Sequence, residues 1–588
     1  MKATSAKLPP PAMAAGDMPT GRYRWFLPCA PLLPGLLFMA MFLVFPLMQT
    51  AWSSIHDPAS GRLSAAAFLH VFQIPAYRHV LWNTIWVALW CALLSMGMGY
   101  PVAYWLAVTS EAVRRRALFM IMAPFWTSVL VRNFTWLVLL GRHGPVAGFM
   151  RAMGLKGADS LLFNRPLLIL AMLHVMLPMA IIAMLPAHRS INRQWLDAGR
   201  TMGAGPADLF WRIYLPLSMR GTAAAGLLVF LSALGFFITP MLLGGRHDVL
   251  LGEMIILQID RLQNWTFGNA LAVILVIIGG TAIVLTNWLF DLSGTARAAA
   301  TSRPPAIYDG MARLSGAIGG IVPRRMRPGK RAGVMLACFA WSVITFLGAP
   351  LLAMIPMAFT RDSFIVFPPH LGTWHWFALY FHDPLWISAT LRSFRIGLGA
   401  AVLSVVLSGL AASGIARMQG RMAGVGILAF MVPLAVPPIV IALAQFGLFA
   451  RVSMIATDSA IMLGHTVLCM PIVFTILLGG FRSYDWQLNQ AAATLGASMP
   501  QVLTRVLLPL LRPVLVAGLV AGFLTSFDEL TVALFLGGGL RTTLPKQMWD
   551  AVLLEVSPLL VAVSVVMMLI ITVLFVVMES MQRNRATL

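Results

Sequence analysis

The sequence predicts an all-α polytopic membrane protein built from two pseudo-symmetric six-helix units, with about twelve transmembrane helices. Three observations support this fold class. The 588 residues are 59% apolar and only 11% charged, the apolar residues gather into twelve long runs, and a segment of the first half recurs 293 positions later. Soluble proteins of this size carry about 25% charged residues, so the soluble class is excluded.

Six apolar runs in each half are long enough to cross the hydrocarbon core of a bilayer, which takes about 20 residues. The first six predicted spans cover residues 26–52, 80–108, 117–140, 166–188, 222–243 and 270–292. The second six cover residues 333–359, 387–416, 422–450, 457–480, 513–537 and 556–580.

The distribution of Lys and Arg predicts that both termini are cytoplasmic. With that orientation, the inside segments hold 27 of the 42 basic residues and the outside segments hold 12, in agreement with the positive-inside rule. The net charge of +22 therefore reflects orientation among membrane lipids, and no nucleic-acid partner is expected. The predicted domains are an N-terminal tail (1–25), a first unit (26–292), a basic linker (293–332), a second unit (333–580) and a C-terminal tail (581–588).

The internal repeat is clearest in two segments on the predicted cytoplasmic side, residues 190–217 and 483–510. They align without a gap and share Ser, Gln, Ala, Thr, Gly and Arg positions and a Leu-Pro-Leu ending. The same register continues into the next span, where 230–245 aligns with 523–538. Two such copies on one face of the membrane indicate a partner with two-fold symmetry.

Each copy has the composition of a short helix that lies at the membrane surface. Small residues at 198–199 and 491–492 permit close approach by a partner, and Gly203 and Gly496 are suited to ending the helix. The proline of each Leu-Pro-Leu ending is expected to act as a rigid break at the entry of the following span.

This spacing resembles the EAA-x3-G-x9-I-x-LP signature of the permease subunits of binding-protein-dependent ABC importers. Both copies keep the full spacing, and the resemblance covers nearly the whole chain apart from its N-terminal residues and the linker. The signature positions of the first copy are Asp197, Ala198, Gly199, Gly203, Ile213, Leu215 and Pro216. Those of the second copy are Gln490, Ala491, Ala492, Gly496, Val506, Leu508 and Pro509.

The resemblance implies the type I ABC importer permease fold, in the bacterial inner membrane, with the two copies acting as coupling helices. It implies two ATP-binding subunits, which bind ATP and Mg²⁺, and an extracytoplasmic solute-binding protein. This chain has no G-x4-G-K-[ST] loop, so it is expected to have no catalytic site and to hold no cofactor or metal. The leading Glu of the signature is replaced by Asp197 and Gln490, so the two ATPase contacts are expected to differ.

The substrate is less clear from the sequence than the transport class. Segments 123–141, 238–245, 432–443 and 525–530 resemble polyamine-type permeases, which normally occur as two polypeptides. This resemblance implies import of a small cationic amine such as spermidine or putrescine, with aminoethylphosphonate, opines and ferric iron as alternatives. An ion-coupled secondary carrier or a polytopic membrane enzyme is the alternative from another class, and stimulation of a separate ATPase would distinguish these.

Asp528 and Glu529 are candidates for contact with the substrate along its path, since ionisable residues within a span are costly to bury. They are predicted to lie inside the eleventh span, and their repeat equivalents are Gly235 and Phe236. Neighbours on a helix point about 100° apart, so one of the two is expected to face the centre. The alternative is a structural role, in which they cap a broken helix or pair with an Arg.

Arg132 and Trp126, in the third predicted span, are the other path candidates. Arg132 is expected either to reach outward to the interface or to bind an anionic substrate group. Trp126 is expected either to belong to an interfacial belt or to contact a cation. His174 and His465 are expected to be satisfied core histidines rather than metal ligands.

Overall fold

The computed structural model of the chain describes residues 30–56, 62–142, 144–154, 161–205, 208–290, 313–314, 330–366, 368–539, 541–555 and 557–583. Within these ranges, ten helices are long and apolar enough to cross a membrane, or twelve if each of two bent pairs is one span. This confirms the predicted all-α fold with about twelve spans. The predicted N-terminal tail, most of the linker 293–332 and residues 584–588 lie outside the described residues.

The helices of the first unit are α1 (Ala30–Ile55), α2 (Pro75–Val108), α3 (Glu111–Trp126), α4 (Val129–Leu140), α5 (Arg165–Ser190), α6 (Arg193–Thr201), α7 (Leu209–Leu234), α8 (Ile238–Leu243), α9 (Leu251–Ile256) and α10 (Trp265–Phe290). Those of the second unit are α11 (Lys330–Met357), α12 (Pro384–Ile415), α13 (Arg421–Ala435), α14 (Pro438–Arg451), α15 (Asp458–Arg482), α16 (Gln487–Thr494), α17 (Met499–Phe527), α18 (Thr531–Leu536), α19 (Leu544–Leu554) and α20 (Pro558–Arg583). Each of these main helices of the first unit has a counterpart in the second, in the same order. Among the shorter described helices, Ala66–Gln73 corresponds to His375–His382, whereas Pro145–Ala152 has no described counterpart.

The two units are interlocked by their first helices, each of which packs against the other unit. On α1, Phe42 stacks on Phe449 of α14 with ring centroids 5.8 Å apart. On α11, the carbonyl of Leu347 lies 3.1 Å from Nε2 of His174 on α5. One buried apolar cluster accordingly runs through both units, which favours their behaviour as a single body.

The third and ninth predicted spans, 117–140 and 422–450, are each broken into two helices. The chain bends by 90° between α3 and the segment 129–152 that begins with α4, and by 94° between α13 and α14. At the first break, Ser128 has an extended backbone and its hydroxyl accepts the Leu130 N–H at 3.3 Å. At the second, Val436 is extended because it precedes a proline. The prediction of continuous helices is wrong at these two positions.

The fifth and eleventh spans also differ from the prediction at both ends. Helices α7 and α17 begin 13 and 14 residues before the predicted starts at 222 and 513. The predicted starts were too late because the first turns of these helices carry exposed arginines, which interrupt the apolar run. Each then ends in the middle of the predicted span, and a separate short helix, α8 or α18, follows the break. The other predicted spans agree with the structure to within a few residues.

Pro216 and Pro509 do not break the chain as expected. Each is the second residue of an α-helical segment, preceded by π-helical turns at Leu209–Tyr214 and Leu503–Leu507. Because a π-helical turn shifts the hydrogen-bonding register, it can accommodate a residue that lacks an N–H. The helix therefore continues through both prolines.

Candidate functional site

The four helix breaks meet in pairs between the two units. The break after α7 lies against the break before α14, where Gly235 approaches Pro437 so closely that a β-carbon on the glycine would collide with the proline ring. The break after α17 lies against the break before α4, where the Asp528 carboxylate faces the Ser128 hydroxyl and the Val129 N–H. Gly235 and Asp528 are repeat equivalents, so one contact is apolar and its counterpart is polar.

Arg132 adds a charge to the polar contact. Its guanidinium interacts with Asp528 across the boundary between the units, and its Nη1 donates a hydrogen bond to the Val175 carbonyl at 3.1 Å. Arg132 is only 3% exposed, so the expectation that it reaches outward is wrong. The bend before α4 turns this part of the chain toward the boundary between the units, whereas a straight third span was predicted.

Several polar atoms around this contact are buried without a hydrogen-bond partner among the described residues. They are Nε of Arg132, Oδ1 of Asp528, Nδ2 of Asn133 and Nε1 of Trp126. Trp126 is the last residue of α3 and directly precedes the break. Buried polar groups in folded proteins are nearly always paired with protein or water. A cluster of unpaired ones therefore indicates a place that receives water or a polar solute.

Glu529 has a different role from its neighbour. Its two carboxylate oxygens accept the N–H groups of Thr531 and Val532, each at 2.8 Å, at the start of α18. Its Oε2 also lies 3.3 Å from Nε2 of the buried His465, whose Nδ1 is 2.7 Å from the Ser526 hydroxyl. Glu529 therefore holds the first turn of α18 against α15.

The placement of the acidic pair inside a continuous helix is a prediction that the structure corrects. Asp528 and Glu529 lie in the break between α17 and α18, so the 100° relation between helical neighbours does not apply to them. Both side chains are engaged in the interior, one across the unit boundary and one within the second unit.

The two repeat segments form short exposed helices, α6 and α16, with the same C-terminal geometry. Gly203 and Gly496 have φ of +84° and +85°. In the first copy the Gly203 N–H bonds to the Arg200 carbonyl and the Ala204 N–H to that of Gly199, both at 3.0 Å. The second copy repeats both bonds at the same distances. This is a Schellman ending, in which a left-handed residue closes the helix, as predicted for both glycines.

The signature residues divide into exposed and supporting positions. Asp197 and Ala198, like Gln490 and Ala491, are exposed, and Asp197 pairs with Arg200 at 2.8 Å. Gly199, in contrast, is buried. A β-carbon there would lie 2.6 Å from a methyl group of Leu209 and 2.8 Å from one of Ile213. The close approach expected of an outside partner at Gly199 is therefore made by the chain itself.

The remaining signature residues connect α6 and α16 to the spans. Ile213 lies in the π-helical turns of the first copy, and Leu215 and Pro216 begin the α-helical part of α7. In the same way, Val506 lies in the π-helical turns of the second copy, and Leu508 and Pro509 begin the α-helical part of α17. The signature residues of each copy therefore belong to one packed element. In it, a short surface helix, α6 or α16, packs on the long helix, α7 or α17, that leads to the central break. Ala492, half-buried, is the counterpart of Gly199.

The most exposed apolar residues of these segments were not predicted from the sequence. Met202 is 87% exposed and Leu495 is 88% exposed, and each immediately precedes the glycine that ends its helix. Trp195 and Leu488 are also exposed on α6 and α16. All four positions correspond at the offset of 293, which is the signal that pointed to them. Apolar side chains projecting into water at two equivalent sites are typical of a protein interface.

The similarity to known proteins also divides the chain into two units. Residues 95–296 and 404–586 each match the family described as "Binding-protein-dependent transport system inner membrane component". The chain belongs to this family. It carries the family domain twice and is a multi-pass protein of the inner membrane.

The relatives of this permease include polyamine transport proteins. It is 31% identical to the "Spermidine/putrescine transport system permease protein PotB" of Escherichia coli (strain K12), over 36% of this chain and 78% of that protein. It is 28% identical to the PotC permease protein of the same kind of system from Haemophilus influenzae, over 42% of this chain and 95% of that protein. A crystal structure of a bacterial alginate ABC transporter is similar at 16% identity and a TM-score of 0.39, over 44% of this chain and 91% of the other.

Membership of the family assigns the permease its general role. It is a transport component of an ABC importer rather than an enzyme, and it works with an ATPase and a substrate-binding protein.

Proposed function

We propose that this permease forms the whole translocation path of a polyamine importer, with two ATP-binding subunits docked on α6 and α16. ATP and Mg²⁺ are bound by those subunits and not by this chain. Both termini are cytoplasmic, and an extracytoplasmic binding protein delivers the solute at the opposite end of the bundle. The observation that carries the proposal is the pair of exposed helices with identical endings and equivalent apolar tips.

The path runs through the paired breaks at the boundary between the units. Each exposed helix is packed on a long helix, α7 or α17, that ends at one of these breaks. A shift of α6 or α16 when ATP binds is therefore passed along a rigid helix to the centre. Alternating access follows if the two pairs of breaks separate and close in turn.

The charges at the centre favour a cationic solute. Asp528 and Glu529 contribute two carboxylates and Arg132 one guanidinium, so the formal charges of these three side chains sum to −1. A carboxylate attracts an ammonium group more strongly where water is excluded. The polyamine transport named for the PotB and PotC relatives agrees with this sign.

A second candidate is a solute with an anionic group, such as aminoethylphosphonate or an opine. The observation that favours it is Arg132, whose Nε is buried without a partner among the described residues. A phosphonate or carboxylate would satisfy that donor. Ferric ion is a third candidate, since carboxylates are suitable ligands for a hard cation.

Ligand binding by the partner binding protein distinguishes these candidates. We expect it to bind spermidine or putrescine, and to leave aminoethylphosphonate and ferric ion unbound. Tight binding of a phosphonate or of ferric ion, with no binding of polyamines, would contradict the polyamine assignment and leave the permease assignment intact.

A further inference from the structure

An open groove lies on the surface of the first unit, between α3 and α5, at the end of the bundle that carries α6. Its volume is about 510 Å³, within the usual range of about 300–1,000 Å³ for ligand sites. The walls are apolar for most of their length, and the groove ends at the last two residues of α5, which are polar and lie three and four positions before the start of α6. The lining residues are Leu118, Met122, Ile182, Leu185, Pro186, Arg189 and Ser190.

Positive charge is concentrated at the polar end of this groove. Arg114 and Arg189 are close enough for their like charges to interact, and Arg115 and Arg116 are exposed on the same turn of α3. Glu111 pairs with Arg114. No carboxylate among the described residues pairs with Arg115, Arg116 or Arg189, so this cluster has a net charge of +3. An anion placed there would relieve the mutual repulsion of the guanidinium groups.

The second unit has the corresponding apolar groove wall without the basic cluster. Leu118, Met122 and Pro124 of α3 correspond to Ile427, Met431 and Pro433 of α13. In the same register, the three arginines of α3 are replaced by an Ala-Gly-Val sequence at 423–425. Arg189 alone has a basic counterpart, Arg482. The basic cluster is therefore a property of the first unit and not a requirement of the fold.

We propose that this groove binds an anionic phospholipid. Its phosphate contacts Arg189 and Arg115, Arg116 adds positive charge from another face of the same turn, and its acyl chains lie along the apolar wall between α3 and α5. The charge of the cluster selects an anionic headgroup, and the apolar wall selects a molecule with hydrocarbon chains. Basic pockets between transmembrane helices on the cytoplasmic side bind such headgroups. The bound headgroup would lie beside the start of α6, where it can steady the helix on which an ATPase subunit docks.

Binding of spin-labelled phosphatidylglycerol to the full-length chain in phosphatidylcholine nanodiscs tests this proposal. The variants are Arg115→Gln, Arg116→Gln and Arg189→Gln, singly and together, with the corresponding lysine variants as charge-retaining counterparts. Each juxtamembrane charge contributes roughly a fivefold preference for anionic lipid. We therefore expect roughly fivefold weaker binding for each arginine neutralised, and near-normal binding in the lysine variants. Arg482→Gln, at the equivalent exposed position of the second unit, is the matched control and should leave binding unchanged.

Three results would overturn the proposal. One is unchanged binding of labelled phosphatidylglycerol in the triple variant. Another is an equal loss in Arg482→Gln, which would indicate a general effect of surface charge. The third is displacement of the label by glycerol 3-phosphate as readily as by unlabelled phosphatidylglycerol, which would assign the arginines to a soluble anion.

Discussion

Asp528 and Arg132 face one another across the boundary between the two units, and each lies at or just after a break in a membrane helix. Asp528 also faces Ser128, and the equivalent of that contact on the other side of the molecule is made by Gly235 and Pro437. The permease is therefore symmetric in its helices and asymmetric in the chemistry of its centre. The asymmetry is possible because the two halves of the chain have different residues at equivalent positions.

Neutralising one member of the central pair should be more harmful than neutralising both. Asp528→Asn leaves the Arg132 guanidinium buried without its counter-charge, and loss of one partner of a buried pair typically costs about 3–5 kcal/mol. The double variant Asp528→Asn with Arg132→Gln should recover much of the thermal stability of the detergent-solubilised protein. Strictly additive losses in the two single variants would show that the two charges do not interact.

Removing the carboxylate of Glu529 should weaken the first turn of α18. Glu529→Ala loses both hydrogen bonds to the Thr531 and Val532 N–H groups, and loss of such a cap costs about 1–2 kcal/mol. Glu529→Gln retains one acceptor oxygen and should lose less. Thermal unfolding of the purified protein measures the difference, and the exposed Glu555→Gln is the control. Equal stability of Glu529→Ala and Glu555→Gln would contradict the capping role.

Uptake also tests whether either carboxylate acts on the solute. If Asp528 attracts a cationic substrate, Asp528→Asn should slow its uptake in proteoliposomes by more than the loss of stability explains. Glu529→Gln should have the smaller effect, because its carboxylate is already engaged. Normal uptake in both variants would leave the pair with a structural role alone.

The glycines that end α6 and α16 should be sensitive to backbone conformation and not to size. The space beside Gly203 and Gly496 is open, and φ is positive at both. A β-branched residue in this conformation is strained by about 1–2 kcal/mol, whereas Asn tolerates it. We expect Gly203→Val and Gly496→Val to uncouple ATP hydrolysis from uptake, and the Asn variants to remain active.

Gly97 is the matched control for this test, since it is helical and has equally open surroundings. Gly97→Val should retain coupled transport. Full transport in both Val variants of the ending glycines would remove the support for α6 and α16 as coupling helices.

The apolar tips of α6 and α16 should be required for docking of the ATPase. An aspartate at Met202 or Leu495 would place a charge in a buried apolar contact, which is costly. Met202→Asp and Leu495→Asp should therefore reduce co-purification of the ATPase. Leu554→Asp is the control, because Leu554 is also 88% exposed but lies at the other end of the bundle. Equal retention of the ATPase by all three variants would count against the docking surface.

The two copies of the signature should tolerate changes at their first position differently. Gln490→Glu restores the residue that the family signature carries, and we expect it to be nearly neutral in ATP-driven uptake. Asp197→Lys places a cation beside Arg200 in place of the present ion pair, and should impair uptake. The exposed pair itself contributes little to stability, about 0–1 kcal/mol, so the effect should appear in coupling. Equal impairment in both variants would show that the departures from the signature have no functional meaning.

Structural features that are caused by nearby residues could be predicted from this sequence, and features that depend on other causes could not. The endings at Gly203 and Gly496 were predictable, because a left-handed residue is required at the same place in both copies. The spans were predictable because each needs a long apolar run. The breaks were not, since hydropathy does not register a change of direction. Only Pro437 and Pro438, at the break between α13 and α14, gave a local signal of a change in chain direction.

The central pairing depends on contacts between distant parts of the chain. Asp528 and Arg132 were each recognised as unusual because a membrane makes a buried charge costly. That they face one another follows from the way the two units are interlocked, which no local pattern records. The exposed tips at Met202 and Leu495 were also missed, because an apolar residue does not by itself reveal whether it is exposed; only their correspondence in the repeat marks them.

The most direct test of the proposed function is uptake of labelled spermidine into proteoliposomes that contain the permease and its ATPase. Uptake is expected to require ATP, Mg²⁺ and the binding protein together, and to fall to background when Gly203→Val and Gly496→Val are combined. Spermidine uptake by the permease alone, driven by a proton or sodium gradient without the ATPase, would contradict the account.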